Sequence, residues 1–483
     1  MRELKPEKVW GYFEEILKIP RLSKHEEKII SYLETFARKN NLDFKKDKLG
    51  NCLILKPASK GYEDRQIIVL QSHLDMVGEK LLEVDHDFMK DPIISEQKDG
   101  WITAQGTTLG ADDGIGIAAS LAILEDNNLE HGPIECLFTV DEETGMTGAL
   151  GIEEGFMQGK ILLNLDSEDE GEIFIGCAGG IDTVGRFQKK LKNAPQGSKA
   201  LKIVIDGLQG GHSGDEIHKG FANSIKLITR FLWKADKEIS ISIASLTGGN
   251  LRNAIPRDSE AVIVFPEHAE TDLLDFIKDY HKQLAADLKR IEPGFKMTMT
   301  SVDLPPQVLE RDFQSKFLNM LYACPHGVIN WSQEIPGLVE TSTNLAVVKE
   351  SSDGCIEVIT SQRSSNDFAK MLIADRMEAL FTLAEGEVIH SQGYPGWEPD
   401  PDSAILKVAE NAYRTLFHDK PQVKAIHAGL ECGLFLEKYP GLDMISFGPT
   451  IKGAHTPEER INIESVTRFW DLLLLILLQA PEK

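Results

Sequence analysis

The chain has no apolar run of membrane length. Its longest uninterrupted stretch, Leu472 to Leu478, falls far short of the ~20 residues needed to cross a bilayer. No leader-like core opens the chain either, since Met1-Arg-Glu-Leu-Lys-Pro-Glu-Lys8 carries charges where a secretory signal needs apolar residues. Cysteine is sparse. Cys52, Cys136, Cys177, Cys324, Cys355 and Cys432 are scattered with no C-x-x-C pair, several within apolar strand-like runs. That excludes a disulfide framework and a cysteine zinc site, and favours buried free thiols in a reducing compartment. Basic charge is short as well: 52 Lys and Arg against 76 Asp and Glu leave a net charge of −24. Such a chain repels phosphate backbones and anionic lipid, so neither nucleic acid nor a membrane is expected as partner. A cytoplasmic location is the expectation.

What remains is an ordinary globular composition, with 42% hydrophobic and 27% charged residues over 483 positions. Apolar spacing predicts helices over 6–18, 26–39 and 111–124, and buried strands over 52–55, 67–70, 134–140 and 161–165. Strands alternating with helices point to an α/β layer with a largely parallel sheet. After Gly179-Gly180 the texture changes. Alternating strands over 202–206, 240–246, 261–265, 296–302 and 355–360, with helices near 219–234 and 271–290, read as an α+β insertion. The α/β texture returns near Gly393-Tyr-Pro-Gly-Trp397, and a Leu-rich helix closes the chain over 464–479. The expected organisation is one α/β domain from residues 1–182 and 385–483, with a second domain inserted at 183–384.

Five polar groups follow separate apolar strands. His73 and Asp75 end Leu70-Gln-Ser-His-Leu-Asp. Asp112 and Asp113 sit among glycines where a helix begins. Asp141-Glu142-Glu143 follows Phe138-Thr-Val, Asp166 follows Ile161 to Leu163, and His455 lies in a Gly/Pro loop after Met444 to Phe447. Each has a plain structural reading: a turn, a cap or a loop histidine. Together they read differently, because ligands gather beyond the carboxyl ends of strands in open α/β sheets. Two histidines and three carboxylates suit a pair of zinc-like divalent ions, with one carboxylate shared. Such a pair activates water and polarises a carbonyl, and a free glutamate serves as general base. No phosphate cradle accompanies these groups, which argues against a dinuclear phosphatase.

The sequence resembles the dinuclear-zinc metallopeptidases that include glutamate carboxypeptidase, aminoacylase, succinyl-diaminopimelate desuccinylase and the carnosine-type dipeptidases. The resemblance rests on Gln71-Ser-His-Leu-Asp-Met76, Gly106-Thr-Thr-Leu-Gly-Ala-Asp112, Gly176-Cys-Ala-Gly-Gly-Ile-Asp182, Gly210-Gly-His-Ser-Gly214, Leu251-Arg-Asn-Ala-Ile-Pro-Arg257 and Ile426-His-Ala-Gly-Leu-Glu-Cys-Gly433. It covers essentially the whole chain and is strongest toward the branch that cleaves Xaa-His dipeptides. It implies a zinc-exopeptidase-like α/β catalytic domain with an inserted α+β lid domain. It implies His73 and Asp166 on one ion, Glu143 and His455 on the other, and Asp112 between them. Asp75 falls on the residue that orients His73, and Glu142 on the general base.

The resemblance also implies that His212 donates to the oxyanion and that Asn253 and Arg257 line the cleft. Either Arg363 or Arg257 would hold the substrate carboxylate, while Gly429 and Glu431 form a pocket wall. Asp113 departs from the family's asparagine: its extra charge would either alter the metal preference or let it compete with Asp112, which remains the expected bridge. The implied activity is metal-dependent hydrolysis of short unblocked dipeptides, zinc being the expected ion and manganese or cobalt also suiting the ligands. An N-acyl amino acid hydrolase or a broader metallocarboxypeptidase is the alternative. A homodimer is compatible with the large insertion.

Overall fold

The computed structural model describes residue 1 and residues 3–483. Its contacts divide the chain into two compact units. The first holds Met1–Cys177, Trp397–Ala425 and Leu430–Lys483, and the second Ala178–Gly396 and Ile426–Gly429. The expected insertion at 183–384 thus differs from the second unit at both ends. The strand Glu387–His390 pairs with Gly179–Gln188, which carries the unit past residue 384. Ala178 N–H reaches the Ile426 and Ala428 carbonyls, which joins the short return to the same unit.

The first unit is built on an eight-stranded mixed sheet. Its order is Asp43–Lys46, Cys52–Lys56, Ile134–Thr139, Ile68–His73, Ile161–Asn164, Asp443–Ser446, Glu172–Cys177 and Gln422–Ile426. The four strands from Ile134–Thr139 to Asp443–Ser446 run parallel, and antiparallel strands flank them. Ile68–His73 and Ile134–Thr139 are buried along their whole length, as strands covered on both faces must be. Helix Ala111–Glu125 is apolar nearly all round and accordingly buried on every side. The closing helix Ile463–Leu478 turns Val466, Phe469, Leu473 and Ile476 inward. All six cysteines are buried, and none forms a disulfide among the described residues.

The second unit carries a nine-stranded antiparallel sheet. Strand Ser198–Asp206 alternates buried and part-exposed residues, the pattern of a sheet with one covered face. Helices Ser224–Ile239, Arg311–Ala323 and Asp367–Leu383 supply Phe231, Phe317 and Phe381 to a core that also takes Phe187, Ile203 and Ile263 from the strands. The helix expected over 219–234 begins instead at Ser224. A 3-10 turn at Ile217–Lys219 ends at Gly220 with φ +72°, and Asn223 then caps the helix by accepting Lys226 N–H at 3.1 Å. No helix among the described residues is long and apolar enough to cross a membrane.

Candidate active site

Parallel strands deliver their carboxyl ends to one edge of the first unit. His73 closes Ile68–His73, the acidic turn Asp141–Glu143 follows Ile134–Thr139, Asp166 follows Ile161–Asn164, and the loop bearing His455 follows Asp443–Ser446. Asp112 stands at the start of helix Ala111–Glu125. These residues converge. His73 Nε2 lies 2.9 Å from Asp112 Oδ1 and 3.3 Å from Asp166 Oδ1. His455 Nε2 lies 3.2 Å from Asp112 Oδ2 and 2.9 Å from Glu143 Oε2. Asp112 therefore turns one oxygen to each histidine. Asp113 Oδ1 accepts Gly116 N–H at 3.1 Å instead of facing either histidine at hydrogen-bond distance.

Asp75 does more than face His73 Nδ1 at 3.5 Å. Its carboxylate accepts the N–H groups of Glu142 and Glu143 at 3.0 and 3.2 Å and the Ser23 hydroxyl at 2.7 Å. Glu26 Oε1 accepts Asp141 N–H at 2.9 Å, and Asp141 in turn takes the hydroxyls of Thr144 and Thr147. The two glutamates open a short helical turn, Glu142–Gly145, after Asp141 at φ +55°.

The electrostatics are those of crowded acids in a dry place. Contacts with Asp112 and Glu143 raise the His455 imidazole to about 11. Burial opposes charge on His73, yet Asp166, Asp112 and Asp75 drive its pKa well above the ordinary value. Burial also works against ionised Asp112, but the two histidines hold it well below the carboxylate range. Asp166 goes the other way, raised by burial and by Asp112. Burial, with Glu431 and Glu143 nearby, lifts Glu142 to about 8.

A divalent ion fits this chemistry. The ligand atoms of His73, Asp112 and Glu143 all lie within 4.8 Å of one another. Glu143 Oε1 is buried with no hydrogen-bond partner among the described residues. Carboxylates this close need protons or cations between them, and a mixed imidazole and carboxylate set suits zinc-like ions. Cations there favour the ionised form of each acid.

One expectation fails. Glu431 is no pocket wall: it is 1% exposed, and its Oε2 accepts Gln71 Nε2 at 2.6 Å and the Thr139 hydroxyl at 2.8 Å. Glu431 opens the helix Glu431–Lys438, and these bonds tie it to strands Ile68–His73 and Ile134–Thr139.

The remaining expected residues lie in the second unit. His212 bridges Ala254 through the backbone, and Ser213 N–H donates to the Asn253 carbonyl at 2.8 Å. The loops 210–214 and 251–257 are therefore neighbours. His212 Nδ1 accepts Asp215 N–H at 3.3 Å. Arg257 Nε donates to the Leu208 carbonyl at 3.1 Å. Arg363 is 8% exposed within Cys355–Ser364, where Nη1 reaches the Tyr394 hydroxyl at 3.3 Å and Nε has no partner among the described residues. A Cβ on Gly429 would lie 3.1 Å from the Tyr394 ring. His427 was not anticipated. Its Nε2 lies 2.7 Å from the Ser342 hydroxyl, and burial, with Arg363 next in effect, pushes the imidazole down to about 3.

Residues 69–479 match the model of peptidase family M20/M25/M40, and the chain belongs to that family. It is 41% identical to the cytosol non-specific dipeptidase of Escherichia coli K12 over 483 residues, covering 100% of this chain and 99% of the relative. The crystal structure of aminoacylhistidine dipeptidase from Vibrio alginolyticus superposes with a TM-score of 0.93 at 42% identity, over 100% of this chain and 98% of the other. Aminopeptidase PepT from Bacillus cereus shares the fold at 16% identity, with a TM-score of 0.58 over 99% of both chains.

Proposed function

We propose that this chain is a metal-dependent dipeptidase that hydrolyses short unblocked dipeptides, Xaa-His among them. The observation that carries the reading is Asp112, which offers one carboxylate oxygen to each of two histidines. His73 and Asp166 would hold one ion, Glu143 and His455 a second, and Asp112 would bridge. When bound, such ions polarise the scissile carbonyl and make water nucleophilic at neutral pH. Glu142 takes the proton of the attacking water on its carboxylate and returns it to the leaving amine. Asp75 keeps the His73 ring in place and fixes the turn that presents Glu142. Within the second unit, Arg363 suits a substrate carboxylate, which a guanidinium fork binds in two parallel bonds. His212 serves as a donor to the oxyanion, a role often worth roughly 3–4 kcal/mol of barrier. Asn253, Arg257 and Gly429 complete the substrate contacts.

The E. coli relative is named non-specific, and the Vibrio relative for aminoacyl-histidine substrates. The test therefore spans both. Chelator-stripped protein is reloaded with zinc, manganese or cobalt and given β-alanyl-histidine, glycyl-histidine, a dipeptide without histidine and N-acetyl amino acids. Metal-dependent cleavage of the dipeptides is expected. Cleavage of the acetylated compounds alone would replace the reading with an N-acyl amino acid hydrolase.

A further inference from the structure

Two buried side chains outside the ligand set hold the ligand loops together. Arg21 is 1% exposed. Its Nη1 donates to the carbonyls of Leu74 and Asp75 at 3.0 and 2.5 Å, and its Nη2 to the Gly110 carbonyl at 2.5 Å. One guanidinium thus ties the loop after His73 to the loop before Asp112. Glu459 is 2% exposed and lies four residues after His455. Its Oε2 accepts the N–H groups of Leu109 and Gly110 at 2.8 and 3.0 Å, and its Oε1 those of Ala111 and Asp112 at 2.7 and 3.3 Å. The last three of these are N–H groups that the start of a helix leaves unpaired, and Leu109 lies just before it. Glu459 thus ties the His455 loop to the same stretch of backbone.

The backbone is shaped to admit this. Gly110 sits at φ +72°, and a Cβ there would lie 2.8 Å from Arg21 Nη2 and 2.9 Å from the Met76 sulfur. A Cβ on Gly114 would lie 2.7 Å from the same nitrogen. Both glycines are the condition for a guanidinium in that place.

We propose that Arg21 and Glu459 are positioning residues, one for each ion site. Arg21 sets His73 against Asp112, and Glu459 sets His455 against Asp112. The proposal rests on the two-ion reading above. Groups that orient metal ligands typically change metal affinity by about 10- to 100-fold when removed.

The test is calorimetric titration of chelator-stripped protein with zinc against a competing chelator, with unfolding temperature measured alongside. Wild type is expected to take two ions. Glu459→Gln should weaken one of them about 10- to 100-fold and leave the other, and Arg21→Lys should do the converse. Cycles assign the sites. Glu459→Gln should weaken the ion left in a His73→Ala background and spare the one left in His455→Ala, with Arg21→Lys reversed. Should a variant fail to fold, Gly114→Ala presses on the same guanidinium nitrogen, and Glu459→Asp shortens the same carboxylate. Fewer than two ions in wild type would overturn the two-ion reading and this proposal with it. Two ions in wild type with unchanged variants would overturn this proposal alone, as would equal loss at both sites from each substitution.

Discussion

The two units treat their buried polar groups in opposite ways. In the first, the proposed metal ligands face one another. Imidazoles lie against carboxylates, Asp75 accepts two backbone N–H groups, and Glu459 accepts four. In the second, Arg363 spends one nitrogen on a tyrosine hydroxyl and keeps Nε unpartnered among the described residues. Its neighbour His427 stays uncharged. The proposed ion site thus sets imidazoles against carboxylates and leaves a carboxylate oxygen of Glu143 unpartnered among the described residues, whereas the proposed carboxylate site leaves a guanidinium N–H in hand. The sheets follow suit. Parallel strand ends gather groups from distant parts of the chain, while the antiparallel sheet sets Arg363 directly opposite Ser342 on the next strand.

The comparison breaks most visibly if the first unit works without ions. Chelation should take dipeptide cleavage to background and re-addition should restore it, as read by histidine release; turnover that survives stripping would sink the metal reading. Next in size is Glu142→Gln, expected to lower kcat about 10²- to 10⁴-fold with zinc content unchanged. A variant that lost zinc would make Glu142 a ligand instead of a base.

In the second unit the effect should fall on binding. Arg363→Met should raise KM roughly 10- to 100-fold, because a charge-assisted bond of about 1.5–3 kcal/mol is lost. Steady-state kinetics that showed only a kcat defect would remove it from carboxylate binding.

The smallest effect is on stability. With the folded pKa of His427 near 3 and an unfolded value near 6.5, the unfolded chain binds more protons between those limits. Stability therefore falls as pH falls through that window, by about 2 kcal/mol at pH 5. Urea unfolding at pH 7 and pH 5 should show a smaller drop for His427→Gln than for wild type. Equal drops would mean that the imidazole is not held neutral.

Much of the proposed site was legible because His73, Glu143, Asp166 and His455 follow apolar strands, and strand ends in a parallel sheet meet at one edge. Asp112 differs: it opens the helix Ala111–Glu125, and its glycine-rich setting, not a strand, singled it out. The braces could not be singled out. Pro20-Arg21-Leu22 reads as a surface arginine, and Glu459 hides in the acid-rich loop beside Glu458. Their partners are backbone carbonyls and N–H groups, which leave no trace in side-chain pattern. Glu431 misled for a related reason: its glycine-flanked setting suits a pocket rim, and only the helix it starts turns it toward Gln71. The helix at Ser224 was placed five residues early because Asn223, not the apolar spacing, decides where it begins.

The strand Asp443–Ser446 lies between Ile161–Asn164 and Glu172–Cys177, and this sets an order of events during synthesis. Its neighbours leave the ribosome some 270 residues before it does, and the whole second unit is made in between. Until then Ile161–Asn164 and Glu172–Cys177 lack the strand that lies between them, and unpaired strand edges are templates for pairing with the wrong chain. His455 and Glu459 follow within the next thirteen residues after Ser446. The proposed ion site therefore draws on residues made both before and after the second unit, and it cannot be complete until His455 has been added.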